Sequence, residues 1–267
     1  MKKFIPFTLL IISYLSTYAQ ASFEKGFFIN NNDEKTVCLI KNLDLLYNPR
    51  GFTYKLSETS KENTATISDV KVFEIYDIVR YERHQVKIDR SSELFDEISI
   101  NKKAEFNNEQ LYLKVLISGK ASLYEYSESN FLRFFFKNKN TNIEQLVYKS
   151  YNDEFSSSSI KKNERYKQQL LNSFDCKIFT KVKFTSLQYR KSKLSKLFID
   201  YNNCINSSYK NYTTKKTNSS KSAFNLNIRP GLNFTSTFLK NALIERRSID
   251  FKNKITARIG VELEFVL

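Results

Sequence analysis

The sequence contains few of the residues that build metal centres and disulfide-rich folds. It has one histidine, three cysteines, no tryptophan, five glycines and three prolines in 267 residues. The single histidine, His84, excludes histidine-rich metal sites and makes any Ser/His or Cys/His catalysis depend on that residue alone. Three cysteines are too few for a small scaffold held together by disulfides. The composition therefore argues against an enzyme, and we expect no catalytic residues, no metal site and no cofactor.

Long apolar runs are absent after the first residues of the chain. Residues 4–14 form one apolar stretch, which follows two lysines and precedes the small-residue site Ala-Gln-Ala at residues 19–21. This order is typical of a secretory signal peptide. We therefore expect residues 1–21 to be cleaved off and the protein to be exported. No later run reaches the roughly 18 to 20 apolar residues of a transmembrane helix, so any membrane insertion must use strands.

Positive charge is in excess and is concentrated in one segment. The formal net charge is +15, and residues 151–222 hold 15 Lys or Arg against 5 Asp or Glu. A basic, aromatic-rich chain could bind nucleic acid, but an exported protein rarely meets it, and we expect no such partner. The basic segment either reflects the bias of an AT-rich genome or docks on anionic partners such as lipopolysaccharide phosphates and anionic glycans.

The chain after the signal has the pattern of an antiparallel sheet. Short apolar runs alternate with Asn, Asp, Gly and Ser turns, and connections this short force neighbouring strands to be antiparallel. We therefore predict a β-rich domain over residues 22–152, with a polar loop at residues 91–108. The predicted strands are residues 26–30, 36–41, 52–56, 70–75, 79–88, 110–117, 121–126, 131–137 and 143–149.

The apolar period changes from two to about 3.6 after residues 156–159, which indicates amphipathic helices. We predict a basic helical segment over residues 153–204 with two short helices, followed by a Ser/Thr/Asn/Lys-rich linker over residues 205–222. The apolar positions are Tyr166, Leu170, Leu171 and Phe174 in the first helix and Leu194, Leu197, Phe198 and Tyr201 in the second.

Cys176 and Cys204 each follow directly after a predicted helix. Because disulfides persist in exported proteins, we predict that these two cysteines form a disulfide that ties the helices together. The odd cysteine, Cys38, lies in a predicted strand and is expected to be a buried free thiol.

Three further motifs have ordinary structural interpretations. The stretch from Gly119 to Ser122 lacks two of the residues that a phosphate-binding loop requires, and it predicts a hairpin turn. His84 shares a strand face with Glu82 and has no cysteine or second histidine nearby, so we expect a surface histidine. The aromatic cluster at residues 131–136 predicts buried sheet residues on alternating faces rather than a binding platform.

The last part of the chain alternates apolar and polar residues over two long runs. In residues 224–238 the apolar side chains occupy even positions, and residues 255–267 repeat the alternation. Each run is long enough for the roughly 9 to 11 residues of a tilted membrane strand. A half-buried hairpin of a soluble protein alternates in the same way, so the pattern alone leaves both interpretations open.

The run FNLNIRPGLNF at residues 224–234, followed by IGVELEF at residues 259–265, resembles the opening hairpin of outer-membrane β-barrel proteins of the PorT-like family. The resemblance implies that residues 223–267 form part of a barrel and that the preceding domain is a periplasmic extension whose helical part carries two cysteines. It implies a location in the periplasm and outer membrane of a Gram-negative bacterium. The implied partners are the outer membrane or lipopolysaccharide, the barrel-assembly machinery and periplasmic chaperones; a protein partner is not identified.

In such a barrel, alternate hairpin residues face lipid and lumen. Asn227, Arg229, Arg258 and Glu262 are expected to face the lumen, because a charge facing lipid costs about 2 to 4 kcal/mol near the midplane. These barrels have eight or more strands, whereas the sequence contains two alternating runs of this kind. We therefore expect a chain truncated after two barrel strands. The residues expected to face the membrane are Leu226, Ile228, Phe234, Ile259, Val261 and Leu263.

These features together predict a mainly β fold with a small α-helical segment. It consists of an antiparallel β-rich N-terminal domain, two short helices and the C-terminal hairpin of an incomplete up-and-down outer-membrane barrel. The leading functional hypothesis is a non-enzymatic cell-envelope protein with a binding or structural role. The alternative is a soluble periplasmic binding or interaction module, whose hairpin completes its own sheet and whose basic surface binds anionic partners.

Overall fold

The computed structural model describes residues 22–42, 47–128, 131–139, 141–152, 160–214, 224–240 and 248–265. The chain divides into two compact units, the first ending at Lys216 and the second beginning at Thr217. Residues 1–21, the predicted signal peptide, lie outside the described residues. The described part is mainly antiparallel β structure with a small helical part, which confirms the predicted fold class at that level.

The first unit is built on one antiparallel sheet. Ten of its strands are β1 Phe23–Asn30, β2 Lys35–Lys41, β3 Gly51–Lys55, β4 Asn63–Thr66, β5 Val70–Ile75, β6 Val79–Asp89, β7 Phe106–Ser118, β8 Ser122–Glu128, β9 Phe131–Lys137 and β10 Glu144–Gln145. Their spatial order is β4-β3-β2-β1-β5-β6-β7-β8-β9-β10. From β5 onward, each strand lies beside the next one in the chain, as the short predicted connections require.

Two regions differ from the predicted strands. The last predicted strand, residues 143–149, is divided between β10 and a second strand, β11 Lys149–Asn152, which pairs with β12 Ile160–Asn163 in a separate small sheet. The predicted polar loop ends earlier than expected, because β7 already begins at Phe106 and pairs with the end of β6. A 3-10 turn, Phe95–Glu97, lies within that loop.

Alternation along the strands creates apolar layers on both faces of the sheet. Phe28, Phe73 and Tyr81 pack together on one face of β1, β5 and β6. On β9, Phe135 lies on one face of the sheet and packs with Val86 and other residues of β6 to β8. Phe134 and Phe136 lie on the opposite face. The aromatic cluster at residues 131–136 therefore contributes buried residues to both layers, as predicted.

In the described chain, three helices cover the face of β7 to β9 on which Phe134 and Phe136 lie. The sequence predicts two helices there. The three helices are α1 Arg165–Ser173, α2 Lys181–Thr185 and α3 Lys191–Cys204. Leu170 of α1, Phe184 of α2 and Phe198 of α3 are buried in one cluster with Phe134 and Phe136 of β9. Helices and sheet thus share a core, and residue 152 does not separate two folded bodies.

The predicted disulfide between Cys176 and Cys204 is confirmed. Their Cα atoms are 6.3 Å apart, within the range of about 4.4 to 6.8 Å found for disulfides. The bond joins the end of α3 to the segment that follows α1. Cys38 is buried and free, as predicted, and burial raises the pKa of its thiol to about 11.

The predicted linker over residues 205–222 begins later than expected. The strand β13, Lys210–Asn211, pairs with β7 at Ser118 and Ile117, and the amide of Tyr212 donates to the carbonyl of Leu116 over 2.9 Å. The first half of the predicted linker therefore belongs to the sheet. Residues 215–222 lie outside the described residues.

The turn between β7 and β8 is held by the side chain of α3 residue Asn202, which is fully buried. Its amide accepts a hydrogen bond from the nitrogen of Ala121 over 3.1 Å and donates to the oxygen of Ala121 over 2.8 Å. A Cβ atom at Gly119 would lie 2.8 Å from the Asn202 Oδ1 atom, so only glycine fits there. This stretch is a hairpin turn, as predicted.

The second unit is a hairpin of two long strands, β14 Phe224–Lys240 and β15 Ser248–Phe265. The strands are antiparallel, and their register pairs Ile228 with Val261 and Phe234 with Ile255. A register shift occurs between Thr235 and Thr237. The strand β15 begins seven residues before position 255, where the second alternating run of the sequence begins.

Candidate functional site

A cleft of about 610 Å³ opens in the first unit between the second half of β6 and the residues around β10. The pairing of β5 with β6 ends at Val72 and Glu82. The rest of β6 therefore has a paired strand on one side only. The start of β7, the end of β9 and α1 supply the remaining walls of the cleft.

Two glutamine side chains hold the walls of the cleft together. The Oε1 atom of Gln145 on β10 accepts a hydrogen bond from the amide of Asp89 on β6 over 2.8 Å. Gln169 of α1 accepts from the amide of Val147 over 2.9 Å and donates to the carbonyl of Gln145 over 3.0 Å. Side-chain amides thus occupy positions at which a neighbouring strand would supply backbone partners.

The end of β6 is fixed further by a buried arginine, Arg133 of β9. Its guanidinium donates to the carbonyl of Asp89 over 3.2 Å and to that of Ser91 over 2.7 Å, and it pairs with Glu93 over 2.7 Å. Because a buried charge is costly unless it is paired and hydrogen-bonded, these contacts define the position of the guanidinium. These contacts fix the end of β6 beside the cleft.

Three exposed cations line the cleft: Lys87 of β6, Lys137 at the end of β9 and Arg165 at the start of α1. None of them forms an ion pair within the described part of the chain. One carboxylate, Glu144, also lines the cleft and receives a long hydrogen bond of 3.4 Å from Gln169. The walls of the cleft therefore carry an excess of positive charge.

A chain of charged groups runs along β5 and β6 to the edge of the cleft. The buried carboxylate of Glu74 contacts Arg80 over 3.0 Å and Lys210 over 2.7 Å. The same arginine binds Glu82 over 2.7 Å, and the other oxygen of Glu82 lies 3.4 Å from the Nε2 atom of His84. Glu82 and His84 share a strand face, as predicted. His84 lines the cleft and is partly buried rather than fully exposed.

Opposing effects act on the pKa of Glu82. Burial raises the pKa of this carboxyl, but hydrogen bonds and charges from His84 and Arg80 outweigh burial, and the net pKa is lowered from its ordinary value of 4.5. Burial also raises the pKa of the neighbouring Tyr124. Glu82 is therefore a carboxylate, and Tyr124 a neutral phenol, at neutral pH.

We expect Glu82→Gln to lower the free energy of unfolding by about 1 to 2 kcal/mol near neutral pH, because charge-assisted hydrogen bonds are lost. A lowered folded-state pKa stabilises the protein above pH 4.5, and this contribution is lost as the pH falls through the lowered value. The difference between the two proteins in urea unfolding should shrink below pH 4.5. Glu58→Gln, at an exposed site, is the control. A Glu82→Gln difference that is independent of pH would contradict this assignment.

The described residues of the cleft offer charge, amides and a small apolar part of the wall rather than a catalytic set. His84 has Glu82 as its hydrogen-bond partner, and within the described chain no nucleophilic hydroxyl or thiol bonds to it. Among the same residues, no group of three His, Cys, Asp or Glu side chains could hold a metal ion. The arrangement is suited to binding an anionic ligand.

A second candidate surface is the apolar face of the hairpin. Six apolar side chains lie on this face between residues 228 and 261, each 63 to 75% exposed: Ile228, Leu232, Phe234, Ile255, Ile259 and Val261. Arg229 and Glu262 form an ion pair on the opposite face. The described helices include none that is long and apolar enough to cross a membrane.

A third candidate surface is a shallow basic groove of about 470 Å³ between α2 and α3. Its walls include Lys183, Lys193 and Lys196, together with Asp200, which pairs with Lys183 over 2.9 Å. The other two lysines form no ion pair in the described residues. This groove lies in the basic segment that the sequence indicates for anionic partners.

The structure describes four of the six residues predicted to face the membrane. Ile228, Phe234, Ile259 and Val261 share the exposed apolar face. The register also pairs Leu226 with Leu263, but the side chains of these two residues and of Asn227 lie outside the described residues. That these side chains face a membrane stays a prediction.

Sequence reasoning missed the cleft. Its residues are separated by up to 85 positions, from His84 to Gln169. No motif links Lys87, Lys137 and Arg165, since each belongs to a different element. One signal was present: Gln145 and Gln169 are polar residues at positions where the strand and helix patterns require buried or half-buried side chains.

Comparison with known proteins found no similarity: no protein-family model matches the chain, and no curated protein or solved structure does. The resemblance of the hairpin to PorT-like barrels stays a prediction.

Proposed function

We propose that this chain is an exported, non-enzymatic cell-envelope protein. Residues 22–214 form a binding domain, and the hairpin of β14 and β15 associates with the outer membrane as part of a PorT-like barrel sheet. The exposed apolar face of the hairpin is the observation that carries this proposal. Closing such a sheet requires strands in addition to these two, because the outer edges of a lone hairpin have no partners in lipid.

The arrangement of the hairpin supports membrane association. Cross-strand pairs such as Ile228 with Val261 and Phe234 with Ile255 make one face apolar over seven residues of each strand. Arg229, Arg258 and Glu262 lie on the other face, as expected for a lumen. A contiguous exposed apolar patch of this kind marks a membrane or protein contact.

We expect the full chain to remain with the outer-membrane fraction in high salt and to be released by detergent. Replacing Ile228, Phe234, Ile259 and Val261 by threonine should move most of the protein to the soluble fraction. Burial of each apolar side chain contributes about 1.5 to 3 kcal/mol, whereas threonine keeps the strand propensity. Membrane fractionation followed by immunoblotting measures the distribution.

The control is Asn233→Thr combined with Thr256→Asn, a polar exchange between two paired residues on the other face. This variant should fractionate as the unchanged protein does. Release of the unchanged chain by high salt alone would refute membrane insertion and would favour the electrostatic alternative.

The alternative is a soluble periplasmic module that docks on anionic partners through the groove between α2 and α3. Lys193 and Lys196 favour it, because both line the groove without an ion pair in the described chain. In that case, Lys193→Gln with Lys196→Gln should release the protein from lipopolysaccharide-containing vesicles at lower salt. The threonine substitutions in the hairpin should then have no effect on this binding.

A further inference from the structure

We propose that the cleft between β6 and β10 binds an acidic saccharide, a sugar carrying a carboxylate or a phosphate. This inference concerns the first unit alone and does not depend on membrane association of the hairpin. It uses three observations: unpaired cations, unpaired amides and a partly apolar wall.

Positive charge in the cleft exceeds negative charge, since three cations and one carboxylate, Glu144, line it. Lys87, Lys137 and Arg165 come from three elements that are far apart in the sequence, and the fold brings them to the wall of one cleft. In the described residues no carboxylate pairs with any of them. An arginine can bind a carboxylate or phosphate through two parallel hydrogen bonds, and a lysine adds a point charge. The unpaired cations therefore indicate an anionic group on the ligand.

Neutral hydrogen-bonding groups surround these cations. Gln85, Asn108 and Asn142 line the cleft, are exposed and have no side-chain hydrogen bond within the described chain. Each amide offers two donors and one acceptor. A hydroxyl group both donates and accepts, so a ring with several hydroxyls matches a set of free amides.

The apolar part of the wall is small. Val86 and Val147 are buried, Ile143 is partly buried, and Phe106 is 42% exposed. This surface can pack against the C–H face of a sugar ring, but it offers no long apolar channel for an acyl chain. The volume of about 610 Å³ falls within the range of roughly 300 to 1,000 Å³ of small-ligand sites. A short acidic saccharide fits these limits.

An extended acidic peptide is less suitable. A peptide that adds to a sheet edge is recognised through backbone hydrogen bonds. At this cleft, the Asp89 amide is already bonded to Gln145, and the Val147 amide and Gln145 carbonyl are bonded to Gln169. Three backbone groups at the β10 end of the cleft are thus already bonded to side-chain amides, and an added peptide strand could not pair with them.

Titration calorimetry of the purified full chain tests the proposal with five probes. Galacturonate carries a carboxylate and glucose 6-phosphate carries a phosphate; galactose and glucose are their neutral counterparts, and pentaglutamate is the peptide. At least one acidic saccharide should bind, about 10-fold or more tightly than its neutral counterpart, because charge-assisted hydrogen bonds contribute to the affinity. Binding of galacturonate alone identifies a carboxylate ligand, and binding of glucose 6-phosphate alone identifies a phosphate ligand.

Two variants with the same loss of charge separate the cleft from the general basicity of the chain. Lys137→Gln with Arg165→Gln should raise the Kd about 10-fold or more. Lys61→Gln with Lys102→Gln, at exposed sites outside the cleft, should change it less than about 2-fold. Equal weakening by both pairs, absence of binding to both acidic saccharides, or tighter binding of pentaglutamate would overturn the proposal. Loss of membrane fractionation in the hairpin variant would leave these results unchanged.

Discussion

Replacing Cys176 and Cys204 by alanine is expected to lower the free energy of unfolding by about 3 to 4 kcal/mol, the loop-entropy estimate for this cross-link. The two cysteines are 28 residues apart in the sequence. Their disulfide closes a loop that contains α2 and α3, and it therefore restricts the unfolded chain. Because typical domains are stable by about 5 to 15 kcal/mol, this is a large fraction of the total. Urea unfolding of the two proteins measures the difference.

Chemical reduction provides the control. A reducing agent should destabilise the unchanged protein by about the same amount and should have no further effect on the alanine variant. Thiol labelling of the unfolded, non-reduced protein should modify Cys38 alone, since it is the free cysteine. Equal stability of the reduced and oxidised proteins would contradict the structural role of the bond.

Phe198→Ala is expected to cost about 3 to 5 kcal/mol, the range for removing a buried phenylalanine. Its ring is fully buried and lies 4.9 Å from the ring of Phe174 and 6.4 Å from that of Phe136 on the sheet. The substitution thus removes a contact between α3 and β9. Circular dichroism and tyrosine fluorescence during urea unfolding should report one common transition, with its midpoint at a lower urea concentration than in the unchanged protein.

Val182→Ala is the matched control in the helical region, because Val182 is 70% exposed. Its effect should stay within about 0.5 kcal/mol. If Phe198→Ala removed the helical signal and left a separate, unshifted transition of the sheet, the helices would be an independent body. The shared core described above would then be wrong.

Local patterns predicted much of the sheet. Strands β5 and β9 have the predicted bounds, Val70–Ile75 and Phe131–Lys137. This success has a physical cause, because these strands contain large apolar side chains between short polar turns. The strand β4, Asn63–Thr66, was not predicted. Its sequence NTAT contains no large apolar residue, and it pairs with β3 at an edge of the sheet.

Elements that depend on distant partners could not be predicted. The strand β13 has two residues, Lys210–Asn211, in a polar segment, and it forms because β7 extends beyond β6 and leaves an open edge there. The contact between Lys210 and Glu74 spans 136 positions. The helix α2, with five residues, is too short to show a helical period. The cleft likewise follows from where the pairing of β5 with β6 ends, which no local pattern specifies.

The burial of Cys38 has a consequence for the order of oxidative folding. The cysteine lies in one apolar cluster with Phe73 of β5, Tyr81 of β6 and Tyr112 of β7, so its surroundings are complete once strands β1 to β7 have paired. Sheet proteins of this kind fold in about milliseconds to seconds, whereas disulfides form in about seconds to hours. A thiol with a raised pKa, shielded from solvent, is a poor nucleophile. When the sheet forms before oxidation, Cys38 is excluded from pairing with Cys176 or Cys204, and the native disulfide is the pairing left to these two cysteines.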